Sequence, residues 1–427
     1  MTLCMNPDGL YGQLESNIVK REAPVSLFCY FCRAVFRVGT GRGPAFESSS
    51  MSSDNLNEMK EQKKLYPIRF KEETLEYPWG RETFSLADLG AVDSVAGNGW
   101  LAGNAFSDIM ETYLERVGGE DVYKYYGRQF PVSVSFLDIN GVFPARCHPD
   151  DEAAGQRYDA LGKRVFWRVL EAAPDARLYI GFARDMSASD FYGSVLSGTL
   201  RETLNVHLPA AGESFCIAPG TVYAAEGRMK ILEISESSLV AFILEGQAEA
   251  PQAGENAAEA LDLINLGRTD FSQALRPAGC QDAGTAAGTA AGSATGDGVP
   301  SEGCTELLSS PEFSVNGMSV SEPLKLTSGD SFTVLVCTQG GISVQVKGRK
   351  EDGTASMDNY SLNKGESLLV PADVEEFFLV PVERGAEVLS VFIERHEDVD
   401  SYINPDTDPY LEGEDYEGVE DMEDEEA

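Results

Sequence analysis

The sequence is poor in histidine and in positive charge. Its 427 residues include three histidines, His148, His207 and His396, and 33 lysines and arginines against 70 acidic residues. The net charge of −37 repels nucleic acid and anionic membrane surfaces, so neither is predicted as a partner. An anionic ligand would need a local cluster of basic side chains within this field. Three histidines are also few for a zinc site that is built on histidine ligands.

Cysteine pairs and long apolar runs are equally scarce. The eight cysteines are scattered, and only Cys29 and Cys32 form a CxxC, with no second pair or nearby histidine to complete a zinc site. Cysteines scattered in this way are typical of proteins in a reducing cytoplasm. The apolar stretch over 25–36 is interrupted by Arg33 and is too short for a transmembrane helix. The sequence therefore predicts a cytoplasmic protein without a membrane span.

Three segments lack the patterns of a folded domain. Residues 1–58 are predicted to be a leader that is either disordered or precedes a true start at Met51 or Met59. Residues 247–304 include the Ala/Gly/Thr-rich run AGTAAGTAAGSATGDG and predict a flexible linker. The acidic tail over 397–427 is predicted to be solvated and disordered, with binding of a protein partner as one role.

Two segments, 59–246 and 305–396, carry short alternating strands separated by Gly/Pro turns, the pattern of a β-sandwich or barrel. In the first, 105–118 has helical spacing, and Asn140-Gly141 is a hairpin signal. The strings PAAGESFCIAPGTVYAAE and NKGESLLVPADVEEF echo each other. This repeat predicts two related β-barrels in tandem.

An ordered series of motifs identifies a family resemblance. The segments FPVSVSFLD, ARCHPDDE, GKRVFWRVL, PDARLYIGF, PGTVYAAEG and LEISESS resemble, in order and spacing, class I mannose-6-phosphate isomerase. The resemblance runs from about residue 66 to 392. It implies a mostly β fold of two tandem cupin-type jelly-roll barrels with a small helical portion, the first carrying the site. It also implies zinc-dependent aldose–ketose isomerisation.

The zinc ligands implied by this resemblance are largely replaced. His148 matches the family's first histidine. The glutamine two residues earlier is Arg146, the glutamate of a GKTE-like segment is Val165, and the second histidine is Tyr223. An arginine, a valine and a tyrosine are poor zinc ligands. No cofactor is therefore expected, and zinc would be needed only if the family activity persists.

Other positions that the resemblance assigns to function have also changed. The family's serine, strand lysine and arginine fall on Pro144, Ser135 and Ile243. Lys163 and Glu233 remain, and they are the candidate catalytic residues, Glu233 as an acid or base.

Strand alternation places Arg146 and His148 on one face of their strand, and Lys163 and Val165 on one face of the next. Arg146, Lys163 and Tyr223 are therefore the candidate substrate-binding residues. Two interpretations of Arg146 stay open: it holds a phosphate or carboxylate in place of zinc, or it forms an ion pair with Glu233. His148 either is hydrogen-bonded within the barrel or contacts a ligand.

The interpretation favoured by these residues is a family homologue in carbohydrate metabolism that is non-catalytic or altered and binds a sugar phosphate. One alternative is an active enzyme that interconverts mannose 6-phosphate and fructose 6-phosphate. A further alternative is a ligand-free protein-interaction scaffold.

Overall fold

The computed structural model describes residues 63–245, 252–276, 304–349, 354–382 and 385–394. The predicted leader over 1–58 and the acidic tail over 397–427 lie outside these residues. Among the described helices, none has the length and apolar content needed to cross a membrane.

Strands dominate the part of the chain before the Ala/Gly-rich run. They are β1 (Phe70–Lys71), β2 (Glu73–Tyr77), β3 (Gly80–Leu86), β4 (Val95–Ala96), β5 (Val132–Cys147), β6 (Val165–Ala172), β7 (Arg177–Phe182), β8 (Leu204–His207), β9 (Ser214–Ile217), β10 (Tyr223–Glu236), β11 (Phe242–Ile243) and β12 (Leu275–Arg276).

Short helices connect these strands. They are α1 (Phe106–Tyr113), α2 (Glu115–Gly118), α3 (Glu120–Tyr126), α4 (Asp151–Tyr158), α5 (Ala188–Ser197), α6 (Ala253–Ala260) and α7 (Phe271–Ala274). The helix predicted over 105–118 is present in two pieces, because Leu114 has a φ of 42° and breaks it. Helix α5 begins where the Ser187 side chain accepts a hydrogen bond from the Asp190 N–H, an N-cap interaction.

Two long strands organise the N-terminal barrel. β5 and β10 pair antiparallel along nearly their whole lengths. One part of β10 also pairs with β6 and the other part with β7, while β5 continues to β3 and to β11. The two strands therefore belong to both walls of the barrel.

The turn predicted at Asn140-Gly141 is wrong, because both residues lie inside the continuous strand β5. Gly141 is paired with Gly227 of β10, near the point where β10 changes partner from β6 to β7. A Cβ atom added at Gly227 would lie 2.4 Å from the backbone oxygen of Asp175, so only glycine fits there. The glycines Gly141 and Gly227 therefore face each other within a paired ladder and do not mark a chain reversal.

The interior of this barrel is apolar over most of its length. Its buried residues come from both walls and include Leu137, Ile139, Val165, Trp167, Val169, Leu178, Ile180, Phe215, Tyr223 and Ile231.

A second barrel follows. Its strands are β13 (Cys304–Leu308), β14 (Ser314–Val320), β15 (Leu324–Thr327), β16 (Thr333–Gln339), β17 (Gly341–Arg349), β18 (Ala355–Asn363), β19 (Ser367–Val370), β20 (Glu376–Pro381) and β21 (Ala386–Phe392). They form a five-stranded and a four-stranded antiparallel sheet around a separate apolar core. The two GES motifs of the repeat lead into β9 and β19. The predicted mostly β fold of two tandem barrels is confirmed.

The two barrels share a continuous apolar junction. The outward faces of β5 and β10 contribute Val132 and Leu232, and Phe130 packs on Phe332 of the second barrel with ring centres 4.5 Å apart. Leu369 of β19 pairs with Ile68 of the first domain through backbone hydrogen bonds. Burial of this surface stabilises the relative placement of the barrels.

The flexible linker predicted over 247–304 is wrong for residues 252–276. Helix α6 buries Ala257 and Ala260 in an apolar cluster with Ile264, and β12 pairs with β9. Ala257 and Ala260 are spaced to lie on one buried face of this helix. The Ala/Gly/Thr-rich run on which the linker prediction was based lies outside the described residues.

A cluster of carboxyl groups lies at the barrel junction. Glu236 is 1% exposed and accepts a hydrogen bond from the Arg164 N–H, and Glu312 accepts one from the Arg164 side chain. Burial, followed by the nearby charges of Asp151 and Glu312, raises the pKa of Glu236 well above its ordinary value. Burial also raises the pKa of Asp151. The buried side chain of Tyr126 lies near these carboxyl groups.

This cluster predicts a specific pH dependence of stability. A carboxyl with a raised folded-state pKa stabilises the fold most below its unfolded-state pKa, and that contribution is lost as the pH rises towards the folded-state pKa. Glu236→Gln should therefore raise the free energy of unfolding at pH 8, by about 1–3 kcal/mol, and change it little at pH 5. Urea unfolding at the two pH values measures this difference, with exposed Glu322→Gln as the control. Equal effects of Glu236→Gln at both pH values would contradict this explanation.

Candidate functional site

A group of polar side chains lines the interior of the N-terminal barrel among the apolar ones. We call it the barrel cluster; it consists of Glu82, Ser135, Arg146, His148, Lys163, Trp167, Tyr223 and Glu233. All the residues that the sequence proposed as catalytic or substrate-binding belong to it, and so does His148.

The alternation of β5 explains why Arg146 and His148 face inward. Between them, Ala145 and Cys147 point to the opposite side and are fully buried in a separate apolar cluster. Arg146 is paired in register with Tyr223 of β10, so its side chain lies beside the tyrosine. Arg146 and His148 therefore share the inward face of β5, as strand alternation predicts.

His148 is held by two hydrogen bonds. Its Nδ1 lies 2.7 Å from the carbonyl oxygen of Val240, and its Nε2 lies 2.8 Å from the hydroxyl oxygen of Tyr223. A carbonyl can only accept, so Nδ1 carries the hydrogen and Nε2 accepts from the Tyr223 hydroxyl. Burial, followed by the charge of Lys163, lowers the pKa of His148 to about 3. The imidazole is therefore neutral, and the lone pair that would bind a metal is engaged.

Glu233 is fixed by two donors. Its carboxylate lies 3.1 Å from Lys163 Nζ and accepts a 2.8 Å hydrogen bond from Trp167 Nε1. Burial alone would raise the pKa of Glu233, but Lys163 and the Trp167 hydrogen bond outweigh it and lower the pKa below its ordinary value. Of the two interpretations left open for Arg146, the ion pair with Glu233 is not among the ion pairs of the described residues, where Glu233 pairs with Lys163.

Arg146 has a different environment. Its guanidinium carbon lies 4.2 Å from the ring centre of Phe143, a cation–π contact. Its Nε is buried and, within the described part of the chain, has no hydrogen-bond partner. A buried donor without an acceptor costs about 1–3 kcal/mol, and an anionic ligand would remove that cost.

Glu82 is a site residue that sequence reasoning missed. It lies on β3 opposite Leu137, and its carboxyl accepts a 2.8 Å hydrogen bond from the hydroxyl of Ser135. Burial, followed by the charge of Glu233, raises its pKa. The sequence feature that could have identified Glu82 is strand alternation, because it places Glu82 on the face opposite the exposed Arg81.

The residues present do not fit a zinc ion. Val165 is fully buried and has no donor atom, Arg146 is a cation, and the Nε2 of His148 is engaged by Tyr223. Among the described residues there is no group of three or more His, Cys, Asp or Glu side chains that could hold a metal.

Comparison with known proteins relates the chain to sugar-phosphate isomerases. A segment of 142 residues, 33% of this chain, is 29% identical to a Bacillus subtilis protein described as a probable mannose-6-phosphate isomerase, GmuF. That segment spans 43% of the relative's length. No protein-family model matches the chain.

Solved structures match over a larger part of the fold. The mannose 6-phosphate isomerase from Bacillus subtilis has a TM-score of 0.59 at 16% identity, covering 77% of this chain and 99% of its own. The mannose 6-phosphate isomerase from Salmonella typhimurium in its apo form has a TM-score of 0.57 at 13% identity, covering 78% and 100%. At such identities the likeness establishes the fold, which is the cupin-type fold predicted from the sequence.

The misfit to zinc predicts how metal binding could be recreated. The triple variant Arg146→Gln, Val165→Glu and Tyr223→His supplies three donors around His148, and we expect it to retain near-stoichiometric zinc after dialysis. Plasma mass spectrometry of the dialysed proteins measures the retained metal.

A matched control carries Arg146→Gln, Val165→Gln and Tyr223→Phe, which changes the same positions without supplying the carboxylate or the imidazole. This control and the unmodified protein should hold far less than one zinc per chain. One tightly held zinc in the unmodified protein would contradict the assignment.

Proposed function

Since the chain is homologous to mannose-6-phosphate isomerases, we propose that it binds a phosphorylated sugar in its N-terminal barrel and does not carry out zinc-dependent isomerisation. The observation that carries this proposal is the Arg146 Nε, a buried donor that lacks an acceptor at the inner wall of the barrel. Because the matched segment is 43% of the relative's length, the ligand class is taken from the site and not from the relative alone.

Two cations provide the phosphate end of the proposed site. Arg146 and Lys163 both act electrostatically on His148 and on Glu233, so both charges lie within the barrel. Both side chains are only partly buried, in contrast to the apolar wall around them. The planar guanidinium can bind two phosphate oxygens at once, and the ammonium adds a second positive charge.

The carboxyl and ring groups provide the sugar end. Glu82 and Glu233 can accept hydrogen bonds from sugar hydroxyls, and the two residues lie on strands that flank β5. Such a mixture of a few polar groups on an aromatic wall is typical of small-molecule sites. Tyr223 contributes volume and orients His148, because its hydroxyl is directed at the imidazole.

The same contacts argue against the family reaction. A metal-assisted isomerase needs a Lewis acid to stabilise negative charge on the enediolate. Here the donor set does not fit zinc, and the imidazole is neutral and hydrogen-bonded. The protein is therefore proposed as a binding homologue whose chemistry differs from that of the enzyme.

The proposal predicts a dependence of ligand affinity on Arg146. Arg146→Gln should weaken binding of mannose 6-phosphate about tenfold or more, because a charge-assisted hydrogen bond contributes about 1.5–3 kcal/mol. Calorimetric titration and the ligand-dependent rise in melting temperature measure the affinity. Exposed Arg177→Gln is the control and should leave the affinity unchanged.

Parallel titrations with unphosphorylated mannose and with inorganic phosphate identify which part of the ligand is recognised; each should bind more weakly than the sugar phosphate. The absence of any response to hexose phosphates would refute the proposal. A coupled assay that detects conversion of mannose 6-phosphate to fructose 6-phosphate with added zinc would instead establish the isomerase.

A further inference from the structure

We propose that Glu82 and Glu233 form an acid–base pair that interconverts the two anomers of the bound aldose phosphate without a metal ion. This inference rests on the proposed binding function and adds a chemical step to it. The ligand class is an aldose whose ring is closed as a hemiacetal, because the step acts on the anomeric carbon and on the ring oxygen.

The strand order places the two carboxyl groups on either side of β5. Ser135 of β5 is paired with Glu233 of β10 on one side and with Phe84 of β3 on the other, and its hydroxyl donates to Glu82 of β3. Neighbouring strands are about 4.8 Å apart, so the backbones of β3 and β10 are separated by about 10 Å. The Glu82 carboxyl reaches across to Ser135, the serine paired with Glu233, so both carboxyl groups face one region of the interior, where an aldose would present its anomeric hydroxyl and its ring oxygen.

The two carboxyl groups have different partners. Glu233 is held by Lys163 and Trp167, both of which favour its ionised form. Glu82 forms none of the ion pairs seen among the described residues, and its hydrogen bond comes from the neutral hydroxyl of Ser135.

These partners give the two groups opposite protonation preferences. Burial and the charge of Glu233 raise the pKa of Glu82, whereas the pKa of Glu233 is lowered by Lys163 against the effect of burial. Two carboxyl groups whose pKa values are pushed apart are suited to act as acid and base. Glu82 supplies the neutral acid, and Glu233 supplies the ionised base.

The proposed step needs no other reactant. The Glu233 carboxylate removes the proton from the anomeric hydroxyl while Glu82 donates its proton to the ring oxygen. The bond between the anomeric carbon and the ring oxygen breaks, and a carbonyl group forms at the anomeric carbon. After rotation about the bond between the first two carbons, the ring oxygen attacks the other carbonyl face. Glu82 recovers its proton from that oxygen, and Glu233 returns its proton to the new anomeric hydroxyl.

Ring closure restores both groups to their starting states, so the cycle is complete. The charge that develops on each oxygen is neutralised by proton transfer, which explains why the step can proceed without a Lewis acid. Arg146 holds the phosphate, while Lys163 lies beside Glu233 and keeps that carboxylate ionised.

The test measures anomer exchange of mannose 6-phosphate by NMR exchange spectroscopy with the full chain. The unmodified protein should accelerate exchange above the buffer rate. Glu82→Gln should lose about 100-fold of that acceleration, because general acid–base catalysis typically contributes that much or more. The glutamine keeps the acceptor for Ser135, so folding should be retained. Calorimetric titration of the same variant separates a loss of affinity from a loss of exchange at saturating ligand. Glu76→Gln, on the exposed part of β2, is the matched control and should keep the full rate.

A pH profile of the unmodified protein provides a second test that needs no variant. The acceleration should fall as the pH rises through the folded-state pKa of Glu82, because the acid is then deprotonated, while a purely structural role of Glu82 would give no such loss. Binding without acceleration would overturn the anomerisation proposal and leave the binding function in place. Equal acceleration by Glu82→Gln would also overturn it, whereas failure to bind the sugar phosphate would refute both proposals.

Discussion

The antiparallel pairing of β5 with β10 is the constraint on which the barrel cluster depends. It sets Arg146 beside Tyr223 and Ser135 beside Glu233, two contacts separated by most of the length of the strands. Because side chains alternate along each strand, a slip of one residue would turn all of these groups away from the interior. The register shifts by one residue between Tyr223 and Ala225, so the even-numbered Arg146 and the odd-numbered Ser135 both face the interior. The site is therefore a consequence of one long ladder and not of a flexible loop.

The charges inside the barrel oppose the charge of the protein as a whole. The chain carries a net charge of −37, which would repel a phosphorylated ligand at long range. Inside, Arg146 and Lys163 lie near the carboxylate of Glu233, burial raises the pKa of Glu82, and His148 is uncharged. Arg146 and Lys163 thus supply two positive charges within the barrel. This is the local basic environment that an acidic protein needs if it is to hold an anion.

Strand alternation made part of this site predictable. It placed His148 and Arg146 on one inward face, and the motif order identified Val165 and Tyr223 at positions where a metal ligand would stand. Glu82 was not predicted as a site residue because its carboxyl is placed by a hydrogen bond from Ser135, 53 residues away in sequence. No local pattern encodes that contact. The turn predicted at Asn140-Gly141 was wrong because a dipeptide that is common in tight turns can also lie inside a paired strand. The linker bounds were too wide for a similar reason, because the segment 252–276 lacks strong periodicity and its buried face is set by Ala257 and Ala260, which pack with Ile264.

The positions at which the family resemblance would place metal ligands carry side chains that make contacts of their own. Val165 adds a buried apolar side chain, and Tyr223 fills space while its hydroxyl satisfies the imidazole of His148. Loss of metal ligands without such contacts would leave several buried polar atoms unpaired, each at a cost of about 1–3 kcal/mol. Within the described barrel cluster, the Arg146 Nε is the buried side-chain atom that remains without a partner. An anion bound at the inner wall beside Phe143 would satisfy this donor, which connects the packing of the barrel to the proposed binding function.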